Sequence, residues 1–75
     1  MTLNELKKNQ NAKVIGFNSD DLLKRRFISY GIFKGTLITL DRISPMGDPK
    51  IYLIMDYQLI IRNNDAENIL IEIVQ

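Results

Sequence analysis

Neither cysteine nor histidine occurs anywhere among the 75 residues. Their absence excludes disulfides, thiolate or imidazole zinc sites, iron–sulfur clusters, haem ligation by those residues, and any nucleophile–base pair built on Cys or His. Long apolar runs are missing too. The longest, Ile51 to Met55, is five residues, against about 20 for a membrane-spanning helix. The N-terminus lacks the basic-then-apolar order of a signal peptide. Charge of one sign is also missing. Ten Lys and Arg against nine Asp and Glu give a net charge of +1, so no global field points to nucleic acid or to a membrane surface. Such a cysteine-free chain is compatible with the cytosol, and a cytoplasmic location is the expectation.

A chain of this length has room for one hydrophobic core and buries only about 60% of its unfolded surface. With no disulfide or structural metal to brace it, apolar packing must carry the fold. The composition supplies it: 26 of the 75 residues are Ile, Leu, Val or Phe, well above the level of disordered chains. No repeat, linker or low-complexity segment divides the sequence, so residues 1–75 read as one domain.

Thr2 with Glu5 three residues on forms a capping box, which predicts a short helical turn with Leu3 and Leu6 facing inward. Asn9 tolerates the left-handed backbone of the turn that follows. Ala12–Phe17 reads as a first strand. Asn18-Ser19-Asp20-Asp21 is the strongest helix start: Ser19 or Asp20 would cap, and the acids suit the positive end of the dipole. The helix is expected over Asp21–Tyr30, with Leu23, Phe27 and Tyr30 as its apolar stripe and Gly31 as the stop.

Beyond Gly35 the pattern turns to strands. These fall at Thr36–Ser44, with Ile38 and Leu40 inward; at Lys50–Met55; at Leu59–Arg62; and at Ile69–Val74. Asp56–Gln58 would connect the third to the fourth. Asn63–Asn68 reads as a polar turn, with one turn of helix capped by Asn63 or Asn64 and Ala66 pointing inward. Five short strands and one helix predict a mainly β fold: a closed five-stranded barrel or strongly bent sheet with a short helical turn near each end. Closure would remove edges that an Ile-rich chain is better without. The helix would cover one open end.

Two features stand apart from the core pattern. Pro45-Met46-Gly47-Asp48-Pro49 is a stiff loop that could present Met46 and Asp48 to a partner, although a tight turn between strands also explains it. Lys24-Arg25-Arg26 is the densest basic cluster. It suits phosphate, a headgroup or an acidic protein surface, or is simply a solvated helix face. Three cations are few for nucleic acid. The carboxylates are scattered and match no calcium loop. With soft donors lacking, no cofactor and no tight metal site are expected, weak divalent binding through carboxylates staying open. No phosphate loop or catalytic constellation appears, so the chain reads as a non-enzyme.

Taken in series, the motifs resemble those of the FeoA family. They are Arg25-Arg26-Phe27, Tyr30-Gly31-Ile32, Lys34-Gly35-Thr36, Ser44-Pro45-Met46-Gly47-Asp48-Pro49, Leu59-Ile60-Ile61-Arg62 and Asp65-Ala66-Glu67-Asn68-Ile69. The series spans nearly the whole chain. It departs from the family pattern at Lys34 (often Pro), Ser44 (often Ala), and Asn9 and Asp56 (often Gly). The resemblance implies an SH3-like barrel and a cytosolic accessory of ferrous iron uptake that docks on a FeoB-type GTP-binding membrane transporter. It also implies family-level transition-metal binding, which the donors present here would make weak. On that reading Arg25, Arg26, Met46 and Asp48 are the candidate partner contacts, and self-association stays open. The alternatives are a regulator of the transporter's GTP hydrolysis, supplying Arg25, Arg26 or Arg62, and a stand-alone domain of the kind found in metal-dependent repressors.

Overall fold

In the computed structural model, which describes residues 1–74, the chain runs as a 3₁₀ turn (Leu3–Glu5), β1 (Asn11–Phe17), α1 (Asp21–Ser29), β2 (Leu37–Ile43), β3 (Lys50–Ile54), β4 (Tyr57–Ile61), α2 (Asn63–Ala66) and β5 (Ile69–Ile73). The five strands form one antiparallel SH3-like sheet in the order β4-β3-β2-β1-β5. Period-two alternation sends one face inward. Ala12 and Val14, Ile38 and Leu40, Tyr52 and Ile54, and Ile69 and Ile71 are all buried. Register shifts at Val14/Gly16 and Leu40/Arg42 add residues to one strand of a pair and bend the sheet over this core.

The sheet is not closed by hydrogen bonds: β4 and β5 are its two ends and do not pair. The closed barrel is therefore corrected to a bent open sheet. α2 occupies the connection between β4 and β5, and the 3₁₀ turn packs against it. Ala66 there is fully buried, as its position in the polar turn implied. The N-terminus covers the outer edge of β5, where Ile71 N–H donates to Met1 O at 2.9 Å and Thr2 bridges Leu70. The Glu5 carboxylate accepts from Thr2 N–H at 2.6 Å, and Leu3 and Leu6 are buried as the capping-box reading required.

Asp20, not Ser19, caps α1 through Leu23 N–H at 2.9 Å. The helix ends at Ser29, one residue before the expected Tyr30, which is its C-cap. Gly31 follows at φ +93°, with Gly31 N–H on Ile28 O and Ile32 N–H on Phe27 O, both at 2.9 Å. This pair of hydrogen bonds is a Schellman stop, with Phe27 and Ile32 both in the buried core cluster. Of the expected stripe, Phe27 is buried and stacks on Phe17 with centroids 5.6 Å apart, and Leu23 is half-buried. Tyr30 instead stays exposed at the C-cap, past the last residue of the helix.

Other boundaries shift by a residue or two. β1 begins at Asn11, whose preceding Asn9 takes φ +69° as anticipated. β3 ends at Ile54, and the hairpin closes through Met55-Asp56 onto Tyr57. Met55 rather than Asp56 adopts the left-handed φ, at +56°. Ile54 and Tyr57 are fixed opposite each other by the ladder, so position one of the two-residue turn takes the unusual angle whatever its residue type. β4 runs from Tyr57 to Ile61, not Leu59 to Arg62, and Arg62 is the N-cap of α2.

Candidate functional site

Neighbouring residues on a helix point about 100° apart, so Arg25 and Arg26 diverge. Phe27 is buried, which places Arg25 nearly opposite the core and leaves Arg26 on the flank facing β4. Arg26 there lines a notch of about 190 Å³ with Phe27, Tyr30, Ile60, Ile61, Arg62 and Asp65. Phe27, Ile60 and Ile61 give it apolar surface, and its charged lining is two guanidiniums against one carboxylate. The Tyr30 phenolic oxygen, as an acceptor beside it, raises the Arg26 pKa above its already high ordinary value, and Asp65 adds a smaller push. Among the described residues, Arg26, Arg62 and Asp65 take part in no ion pair; the pairs present are Lys13–Glu72 and Arg42–Asp41.

Arg62 is a second cation of the notch that the basic cluster alone did not reveal. It lies far from Arg26 in sequence and reaches the notch because β4 delivers it to the start of α2. The available signal was its position at the end of the Leu59–Arg62 motif.

The Ser44–Pro49 loop adjoins this notch through Asn63, the residue after Arg62. Asp48 Oδ1 accepts from Asn63 N–H at 3.0 Å, and Asn63 Nδ2 donates to Gly47 O at 3.0 Å. Neither Asn63 nor Asn64 caps α2. The expected side-chain cap is supplied from across the fold by Asp48, which satisfies a first-turn donor that the N-cap Arg62 leaves open. Asp48 is thus bound into the scaffold, while Met46, 91% exposed at the loop tip, touches no core. Ser44 Oγ donates to Pro49 O across the base of the loop, which contains a cis Asp48–Pro49 bond. Of the four sequence candidates, the structure brings Arg26 and the Met46–Asp48 loop to adjoining faces through Arg62 and Asn63. It turns Arg25 away.

A second concavity of about 470 Å³ lies on the far side of Tyr30, lined mainly by Phe33, Leu37, Met55, Tyr57 and Gly31. Met55 is 90% exposed and Phe33 54%. Tyr57 Oη donates to Tyr30 O at 2.6 Å and so fastens the hairpin to the end of α1 between the two concavities. Among the described residues no three carboxylates gather closely enough to share a metal ion. The arrangement is chemically suited to contact: paired guanidiniums for a carboxylate or phosphate, and an apolar groove beside them.

The FeoA domain model matches residues 1–73. A fusion of Fe(2+) transport protein A with the Fe(2+) transporter FeoB from Porphyromonas gingivalis is 31% identical over 99% of this chain, which spans 9% of that protein's length. A protein from Helicobacter pylori described as a putative Fe(2+) transport protein A is 33% identical, with 96% of this chain and 94% of that one covered. In structure, a FeoA-like protein from Clostridium acetobutylicum superposes with a TM-score of 0.92 at 33% identity, over 100% of this chain and 87% of the other.

Proposed function

The chain belongs to the FeoA family, which is tied to ferrous iron transport, and from that premise we propose that it is a non-catalytic cytosolic accessory of ferrous iron uptake that docks on a FeoB-type transporter. The observation that carries the reading is the fused relative, in which a segment matching 99% of this chain shares one polypeptide with the transporter. Fusion raises the effective concentration of two modules for each other, and so favours modules that work in contact. The residues support contact as the output. Arg26 and Arg62 are exposed beside a stiff loop, and arginine is enriched at interface hot spots. A loop braced at both ends also loses little freedom on docking.

The test is binding of the purified chain to the cytosolic portion of the FeoB-type transporter from the same organism, followed by calorimetry. One-to-one binding at micromolar concentrations or tighter is expected. GTP hydrolysis measured alongside should keep its rate. Faster hydrolysis that is lost on replacing an arginine would replace accessory docking with regulation of the GTP cycle. No binding up to high micromolar concentration would refute the proposal.

A further inference from the structure

β4 ends the sheet, and among the described residues no strand pairs with its outer edge. A two-residue turn closes the β3–β4 hairpin at Ile54 and Tyr57, with Tyr52 opposite Leu59 and Lys50 opposite Ile61. In such a ladder the closing pair exchanges hydrogen bonds and every second pair repeats it. Tyr57, Leu59 and Ile61 therefore turn their backbone groups toward β3, and Gln58 and Ile60 turn theirs outward. No backbone group among the described residues bonds to Gln58 or Ile60 from that side. The opposite end of the sheet differs, because Met1 and Thr2 cover β5.

Natural edge strands are usually blunted by lysine, proline or a covering segment. Tyr57-Gln58-Leu59-Ile60-Ile61 contains neither residue, and Ile60 is 65% exposed. The same strand borders the Arg26–Arg62 notch, whose formal charge is two cations against one anion. An open edge supplies backbone affinity and selects an extended chain; the paired arginines select a carboxylate.

We infer that the β4 edge and the Arg26–Arg62 notch form one docking site for an extended, acidic segment of a partner protein. The segment lies along β4, exchanges backbone hydrogen bonds with Gln58 and Ile60, and sets a carboxylate between the two guanidiniums. This rests on the docking reading above and names the surface and the chemistry of the contact.

The experiment uses the whole chain, ¹⁵N-labelled, with the cytosolic portion of the FeoB-type transporter as probe. Amide exchange is read with and without the probe, and affinities are measured for Arg26→Gln, Arg62→Gln and Ile60→Pro. Proline at position 60 removes an outward N–H and leaves the β3 ladder intact. The exchange data on the unaltered chain provide the reading should that variant unfold. The expected result is slowed exchange at Gln58 and Ile60 in the complex. Each arginine variant should bind about ten-fold more weakly, and the affinity of the unaltered chain should fall as salt rises. Full-strength binding by both arginine variants, with exchange at Gln58 and Ile60 unchanged, overturns the inference and leaves docking in place. Absence of binding by the unaltered chain removes the docking reading itself and this site with it. Protection of the same amides by a rise in the chain's own concentration, without the probe, overturns the inference in favour of a second copy on the edge.

Discussion

Replacing Gly31 with alanine tests the joint that holds α1 to the β3–β4 hairpin. Gly31 sits at φ +93°, where an added Cβ costs about 1–2 kcal/mol in backbone strain. The same Cβ would overlap Tyr57 Oη, while Tyr57 Cζ lies at an ordinary 3.5 Å. The ring must swing aside, and its hydrogen bond to Tyr30 O is lost, at about 1 kcal/mol. Gly31→Ala should therefore destabilise by about 2–3 kcal/mol. Tyr57→Phe alone removes the hydrogen bond and should cost about 1 kcal/mol. In the double variant the clashing oxygen is gone and the strain remains, so the total should again be about 2–3 kcal/mol. The two changes then couple by about 1 kcal/mol. Urea unfolding of the four proteins, followed by circular dichroism, measures the cycle. Additivity within about 0.3 kcal/mol, or a Gly31→Ala protein as stable as the parent, would refute the reasoning.

Phe27→Ala empties the stack on Phe17 and should cost about 3–5 kcal/mol, most of what so small a domain has to spare; an unchanged urea midpoint would take this face of α1 out of the core. Asp48→Ala removes the acceptor for Asn63 N–H and should lower stability by about 1 kcal/mol, with the melting temperature as readout, so that weakened binding by this variant must be judged against its fold. Among the described residues Tyr52 Oη is buried without a partner, and Tyr52→Phe should raise stability by about 1 kcal/mol. Burial, and then the charge of Asp48, push the Tyr52 phenol from 10.0 up to about 12. Because the folded value lies above the unfolded one, the stability tied to this group is whole below pH 10 and is lost as pH climbs through about 12. Denaturation midpoints taken across that range should fall less steeply for the Phe variant. Anaerobic titration with ferrous iron near neutral pH should give no submicromolar one-to-one binding, since oxygen ligands on separate turns offer no ordered set.

The elements that the sequence by itself determined rest on local physical chemistry. Asp20 caps α1 because a short acceptor stands three residues before a free N–H. Gly31 stops the helix because its neighbours demand φ > 0 there. Ile38 and Leu40 face the core because strands alternate. Signals of this kind act within about one helical turn or one pleat, so the chain displays them unfolded. The motif series around Arg26, Gly31 and Asp48 was legible in the same way, as order and spacing along one dimension.

Tertiary structure decided what depends on distant segments. It brought Arg62 to Arg26, and β4 with its open edge to the same notch. It set Asp48 on the first turn of α2, a role that a loop read alone does not disclose. It sent Arg25 away from its sequence neighbour and moved the left-handed residue from Asp56 to Met55, since the strand register fixed where the hairpin closed. It also left the sheet open, although closure is the simpler way to hide an edge. Whether two end strands meet is set by the accumulated twist and bulges of the whole sheet, and no single strand carries that sum in its own residues.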